Sequence, residues 1–323
     1  MAGGVIVVTG AAGFIGSHLC QALIARGDRV VGVDNFDPFY GRDLKEQNLR
    51  EIEAASPEGG FEFVELDLCD HNRLEGLFNR VKPEGVVHLA AKAGVRPSIA
   101  DPVGYARANV LATTGVQEAA HKAGVERLVV ASSSSVYGNN DTVPFSEEHS
   151  VDAPISPYAA TKKACELIGH THWHLTGMPT AMLRFFTVFG PRQRPDLAIN
   201  KFMRLIHAGE SISMFGDGST SRDYTYIDDI VAGVVAAYDQ IDRFGYRVWN
   251  LGGDHPIRLD ELITKIGQVV GREPVIERKP MQPGDVERTW ADVSRARDEL
   301  GYVARTSVED GLARQWAWLS GSL

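Results

Sequence analysis

Cysteine is scarce, with Cys20, Cys69 and Cys165 the only three in 323 residues. An odd trio without metal-ligand spacing excludes a disulfide framework and a cysteine-built zinc site, and it suits reduced, partly buried thiols. No apolar run approaches the roughly 18 residues that would span a bilayer. The first residues pass directly into an apolar strand without a charged leader, so the expectation is a cytoplasmic protein with no membrane partner. Basic charge is also in short supply. The 33 Lys and Arg stand against 42 Asp and Glu for a net charge of −9, and the cations are scattered, which leaves no electrostatic footprint for a nucleic acid. Low-complexity tracts and internal repeats are absent too, which excludes a disordered chain and a solenoid.

What is there is an ordinary globular composition, 44% hydrophobic and 23% charged, long enough for one large α/β domain and a smaller lobe. Strands are expected at 4–9, 29–34, 61–65, 85–89, 126–132 and 179–185, and helices at 16–26, 44–54, 74–81, 103–122 and 157–175. Strand and helix alternating in this way predict a parallel, doubly wound Rossmann-type sheet, because right-handed crossovers are the easy way to join parallel neighbours. After Phe185 the rhythm changes to Pro191, Pro195 and Gly-rich turns at 216–218 and 252–253. The boundary is therefore placed at 1–185 for a dinucleotide-binding domain, with segments near 224–251 returning to it. A smaller C-terminal α/β substrate lobe then occupies 186–323.

The segment Gly10-Ala11-Ala12-Gly13-Phe14-Ile15-Gly16 follows an apolar strand and opens a helix. Gly10 permits the tight turn, Gly13 lets the backbone approach a pyrophosphate, and Gly16 permits close helix packing. The helix start offers unpaired N–H groups to the anion. Asp34, ending the second strand, would accept hydrogen bonds from the adenine ribose and repel a 2′-phosphate, which favours NAD over NADP; Asn35 stands beside it. Asp67 and Leu68 after the third strand, and Leu89, Ala90, Ala91 and Lys92 after the fourth, fall where the adenine and second ribose should lie.

Tyr158 and Lys162 are four residues apart on an expected helix and share a face. A phenol with an ordinary pKa of about 10 is a poor base at neutral pH, and a neighbouring ammonium favours its ionised form. Such a pair is common on plain helix surfaces. The hydroxyl run Ser132-Ser133-Ser134-Ser135 after the fifth strand adds groups able to bond a reacting oxygen and relay its proton, although a serine-rich turn is the bland reading. His170, His172 and His174 lack an acidic third ligand and read as solvated helix residues, so no metal is expected. Trp249, Trp316 and Trp318 read as packing residues.

Taken together, Gly10 to Gly16, Asp34, the serines followed by Val136-Tyr137-Gly138, Tyr158 with Lys162, Arg184-Phe185-Phe186-Thr187-Val188-Phe189-Gly190-Pro191 and Arg222-Asp223-Tyr224 resemble the NAD-dependent nucleotide-sugar epimerase and dehydratase family of extended short-chain dehydrogenases/reductases. The resemblance covers nearly the whole chain. It implies a catalytic Ser133, Tyr158 and Lys162, an Asn109 that orients the lysine helix or a water, and Phe185 and Val188 at the nicotinamide. It also implies Arg222 and Asp285 on the UDP, with Gln282 where an arginine is usual in related UDP-galactose epimerases, and a homodimer built on the 103–122 and Tyr158 helices. Dehydratases of the family carry an Asp-Glu pair, and UDP-glucuronate decarboxylases a Glu, where Ser134 and Ser135 stand here. Thr187 with those serines and the 192–196 loop resembles the UDP-glucuronate 4-epimerases, which implies that Ser133, Ser134, Ser135 and Thr187 seat a C6 carboxylate. Interconversion of UDP-glucose and UDP-galactose, a net dehydrogenase or reductase, and a non-catalytic NAD-binding protein are the alternatives.

Overall fold

The computed structural model describes residues 4–281 and 286–321. Its larger part runs β1 (Val5–Thr9), α1 (Phe14–Arg26), β2 (Arg29–Asp34), α2 (Arg42–Ala55), β3 (Phe61–Glu65), α3 (His71–Val81), β4 (Gly85–His88), α4 (Val95–Ala100), α5 (Pro102–Tyr105), a π-helical stretch (Ala106–Leu111), α6 (Ala112–Lys122), β5 (Arg127–Ser133), α7 (Pro157–Thr176) and β6 (Thr180–Phe185). The chain continues through β7 (Thr187–Phe189), α8 (Ala198–Ala208), β8 (Ser211–Phe215), β9 (Ser221–Tyr226), α9 (Ile227–Gln240), β10 (Tyr246–Leu251), β11 (Pro256–Arg258), α10 (Leu259–Val270), β12 (Val275–Lys279), α11 (Ser294–Leu300) and α12 (Val308–Ser320).

Seven strands form one sheet in the order β3-β2-β1-β4-β5-β6-β10, every neighbouring pair parallel. This is the doubly wound sheet that the strand–helix rhythm predicts. Successive strand residues fall into different apolar clusters, as a period of two requires. Val8, Val87 and Val129 pack with Leu19 and Leu23 of α1, Ile52 of α2 and Ile230 and Val234 of α9. Val7, Val86, Leu128 and Val130 pack with Leu74 and Phe78 of α3, Val116 of α6 and Cys165 of α7. Each fully buried aliphatic chain contributes about 1.5–3 kcal/mol, so both faces must be covered.

After β6 the chain builds a second, smaller layer. A three-stranded sheet runs β11-β9-β7 and a two-stranded one β12-β8, flanked by α8, α10 and α12. The switch point between β1 and β4, where the strand order reverses, opens the crevice in which α/β sheets bind ligands.

The helix expected at 103–122 is present and unbroken, beginning as α5 and passing through a π-helical stretch into α6. One sequence expectation needs correction. His172 is not solvated. It is 8% exposed, packs edge-on against His121 at 5.7 Å between ring centroids, and has its pKa lowered by burial.

Candidate active site

The turn between β1 and α1 is built from backbone. Gly10 lies at φ +71° and donates to the Val33 carbonyl at 2.7 Å, and a Cβ there would lie 2.9 Å from the Ala90 nitrogen. Gly13 is the N-cap of α1. A Cβ on Gly16 would stand 2.0 Å from the Gly10 carbonyl oxygen, so only glycine lets α1 start this close to the strand. The free N–H groups of its first turn face a cleft of about 1680 Å³, open mouth included. A backbone cradle that any side chain would fill fits a pyrophosphate.

Asp34 is buried at 8% exposure and accepts the Phe36 N–H at 2.8 Å, and with Asn35 it lines the cleft wall. Lys45, which the sequence did not single out, is 5% exposed. Its ammonium donates to the Asp37 carbonyl at 3.0 Å and lies 3.7 Å from Asp34 Oδ1. A lysine in the first turn of an amphipathic helix reads as solvated, and only the loop after β2, whose Asp37 carbonyl and Tyr40 ring meet its ammonium, turns it inward. Tyr40, Phe39 and Arg194 also line this end, with the Arg194 guanidinium 4.9 Å over the Phe39 ring. Burial and the Asp34 carboxylate push the Tyr40 phenol up, so it acts as a neutral wall. Asp67, Leu68, Leu89, Ala90, Ala91 and Lys92 line the same cleft. Asp67 accepts the Cys69 N–H at 2.9 Å and an Arg107 N–H at 3.1 Å.

At the other end stand Ser132, Ser133, Tyr158, Lys162, Phe185, Thr187 and Val188, all on the cleft wall. Ser156 caps α7, its hydroxyl accepting the Ala159 N–H at 3.1 Å, and Pro157 follows at the first helical position; Tyr158 therefore enters on the first turn. Lys162, 5% exposed, donates to the Ala131 carbonyl at 2.7 Å, which aligns the helix with the end of β5. Ser133 Oγ donates to Ser135 Oγ at 3.1 Å and accepts the Ser135 N–H at 3.2 Å, as a 3₁₀ turn over Ser134–Tyr137 begins. Asn109 reads both backbone groups of Lys92, accepting its N–H at 2.8 Å and donating to its carbonyl at 3.0 Å, and donates to Thr161 Oγ1 at 3.0 Å. It is thus a strut between the fourth-strand loop and α7, behind the cleft and not on its wall.

Ser134 and Ser135 also lie off the wall. Arg222 is outside it too, with its guanidinium donating to the Ser221 and Glu287 carbonyls at 2.9 and 3.3 Å. Asp285 and Gln282 fall outside the described residues. The carboxylates on the wall are Asp34, which ends β2, Asp37, which follows it, and Asp67, which follows β3; among the described residues none lines the β5–β6 end. No group of three or more His, Cys, Asp or Glu able to hold a metal exists among the described residues, and none of their helices is long and apolar enough to cross a membrane.

The family model described as "NAD dependent epimerase/dehydratase family" matches residues 6–252. A UDP-glucuronate 4-epimerase from Thermodesulfobacterium geofontis is 39% identical over 98% of this chain and 96% of its own length. The crystal structure of UDP-glucuronic acid 4-epimerase from Bacillus cereus, in complex with UDP-glucuronic acid and NAD, superposes with a TM-score of 0.92 at 35% identity, covering 99% of this chain and 100% of that one. The UDP-glucose 4-epimerase from Thermotoga maritima with UDP-glucose reaches a TM-score of 0.88 at 30% identity, covering 98% of this chain and 99% of that one.

Proposed function

Because the chain belongs to the NAD-dependent epimerase/dehydratase family, we propose that it is a 4-epimerase that interconverts UDP-glucuronate and UDP-galacturonate. The glycine turn and Asp34 fit NAD and would hold it at pyrophosphate and adenine ribose, with Phe185 and Val188 against the nicotinamide. When bound, NAD supplies a hydride acceptor that later returns the hydride. Tyr158 takes the proton from the C4 hydroxyl, with the Lys162 ammonium beside it and Ser133 bonding the same oxygen. The flat 4-keto sugar turns over so that its other face would receive the hydride at C4, and Tyr158 gives the proton back to the C4 oxygen. Arg222 and Asp285 serve the UDP.

One observation carries the choice of reaction: the β5–β6 end of the cleft presents the hydroxyls of Ser133 and Thr187 and no carboxylic acid among the described residues. Elimination of water needs an acid there. Hydroxyls instead suit a C6 carboxylate, a strong acceptor of short hydrogen bonds. The seat has a second use, since a 4-keto uronate is a β-keto acid and loses CO₂ when its carboxylate bond aligns with the carbonyl π system. Holding the carboxylate out of that alignment, with no acid to protonate an enolate, protects it. Ser134 and Ser135 act through Ser133, whose hydroxyl they hold or flank.

The exposed Val103, Leu111 and Leu167, on the α5–α6 segment and α7, support a homodimer through this face, and a cytoplasmic location is part of the same reading. Incubating the purified protein with a panel of UDP-sugars and no added NAD tests the reading. UDP-glucuronate and UDP-galacturonate should each yield the same mixture. Faster turnover of UDP-glucose would remove the carboxylate seat, and a UDP-pentose as main product would make the enzyme a decarboxylase.

A further inference from the structure

Two residues of the family motifs, Tyr137 and Arg184, and the α7 carboxylate Glu166 are not part of the cleft wall. They form a buried polar chain directly behind it. Glu166 and Arg184 have side chains 3% and 4% exposed. Arg184 donates from Nε to Glu166 Oε1 and from one terminal nitrogen to Oε2, both at 2.8 Å. Its other terminal nitrogen donates to the Tyr137 hydroxyl at 2.9 Å, which donates in turn to Asn250 Oδ1 at 2.7 Å. Such a bidentate pair has one geometry.

The same carboxylate reaches the cleft. Ser132 Oγ donates to Glu166 Oε1 at 2.7 Å, and Ser132 is the cross-strand partner of Arg184 in the β5–β6 ladder. One residue earlier, the Ala131 carbonyl accepts from Lys162 at 2.7 Å, and Lys162 and Glu166 share a face of α7 one turn apart. Two successive residues of β5 are therefore tied to two successive turns of α7, immediately before Ser133.

We propose that Glu166 and Arg184 are positioning residues for the reaction: their ion pair holds the end of β5, and with it Ser133, in register with Tyr158 and Lys162 on α7. The inference rests on the reading of Ser133, Tyr158 and Lys162 as the catalytic trio. Removing one partner leaves an unpaired buried charge and tests folding more than catalysis, whereas replacing both by apolar chains of similar size is commonly tolerated.

The experiment compares holoenzyme of Glu166→Leu/Arg184→Met, Ser132→Ala and Tyr158→Phe with the parent. The folded double variant should keep its bound NAD and a KM for UDP-glucuronate within about twofold of the parent, while kcat falls about tenfold or more, as misplacement of reacting groups predicts. Deuterium at C4 of the sugar should slow it by a larger factor than it slows the parent. Ser132→Ala leaves the ion pair intact and should lower kcat about threefold with KM unchanged, well below the roughly 10²–10⁴-fold of a group that itself moves the proton; this variant decides the matter if the double variant does not fold. Parental kcat in the folded double variant, or in Ser132→Ala, overturns the proposal, as does loss of NAD in parallel with kcat. Near-parental turnover in Tyr158→Phe removes the trio itself and the pair with it, while an inactive Tyr158→Phe beside a fully active double variant removes the pair alone.

Discussion

Tyr158 meets Tyr105 edge to face at 6.2 Å between ring centroids. Tyr105 donates to the Ala93 carbonyl at 3.0 Å, and burial pushes its pKa up to about 12, so it stays a phenol and cannot stand in as a base. Tyr158→Phe should therefore abolish turnover, with NAD and UDP-sugar still bound by calorimetry, and near-normal activity would remove Tyr158 as the base. Ser133→Ala should cost less than the 10²–10⁴-fold of about a full acid–base contribution, because Ser135 shares its proton. At the far end of the cleft, Asp34→Ala should weaken NAD much more than NADP in equilibrium titrations. The substitution removes the carboxylate that repels a 2′-phosphate and leaves the Lys45 ammonium to attract one. Equal losses for the two cofactors would count against the assignment.

The β1–α1 turn works as an element, since the strand end, the Gly10 carbonyl and the first turn of α1 cannot move separately. Gly16→Ala places a methyl against backbone that has no rotamer to escape into. Overpacking of this kind costs about 1–3 kcal/mol. Urea denaturation should show that loss, and the purified variant should carry little NAD. Parental stability and NAD content would mean that the turn opens without consequence for the cradle. The π-helical stretch is a second device at this scale. It lets one helix present Asn109 to the Lys92 loop and to Thr161 and return to regular α geometry in α6, so the two walls of the cleft share one strut.

Over the whole molecule, buried titratable groups set the acid limit. His88 lies between Thr9 and Thr113 at 2.7 and 3.0 Å, and burial, with the Lys162 charge second, lowers its pKa to about 3. Burial, with Arg192 second, lowers His18 to about 4. For both, the unfolded chain binds a proton that the folded one refuses, so their contribution to stability is whole above about pH 6.5 and is lost as pH falls toward the folded values. Asp223 acts in the other direction. Burial raises its pKa to about 6 against three backbone N–H donors, so the folded state holds a proton there that unfolding releases. Among these three groups the two histidines outweigh the one carboxylate, so together they make stability fall as pH falls between roughly pH 4.5 and 6. Urea unfolding with and without His88 shows its share: stability should fall with acid in the parent, and His88→Gln should lessen that fall. An unchanged slope in that variant would remove His88 from the account.

The sequence by itself determined the sheet, the glycine turn with Asp34, and the helical spacing of Tyr158 and Lys162. Each is written in local pattern: an apolar run, a glycine where a Cβ cannot fit, two residues one turn apart. It also excluded an acid at positions 134 and 135 by simple identity. The tertiary structure alone decided what depends on residues far apart in the chain. Lys45 looks solvated until the loop after β2 folds over its ammonium. Asn109, buried in a π-helical stretch, meets Lys92 and Thr161 only in the folded chain. Ser134 and Ser135, named for the substrate alongside Ser133, turn off the cleft wall because β5 ends in a 3₁₀ turn. Arg184, Glu166 and Ser132 come from a strand, a helix and another strand, and no spacing rule joins them; burial does, because an arginine and a carboxylate stripped of water must find each other.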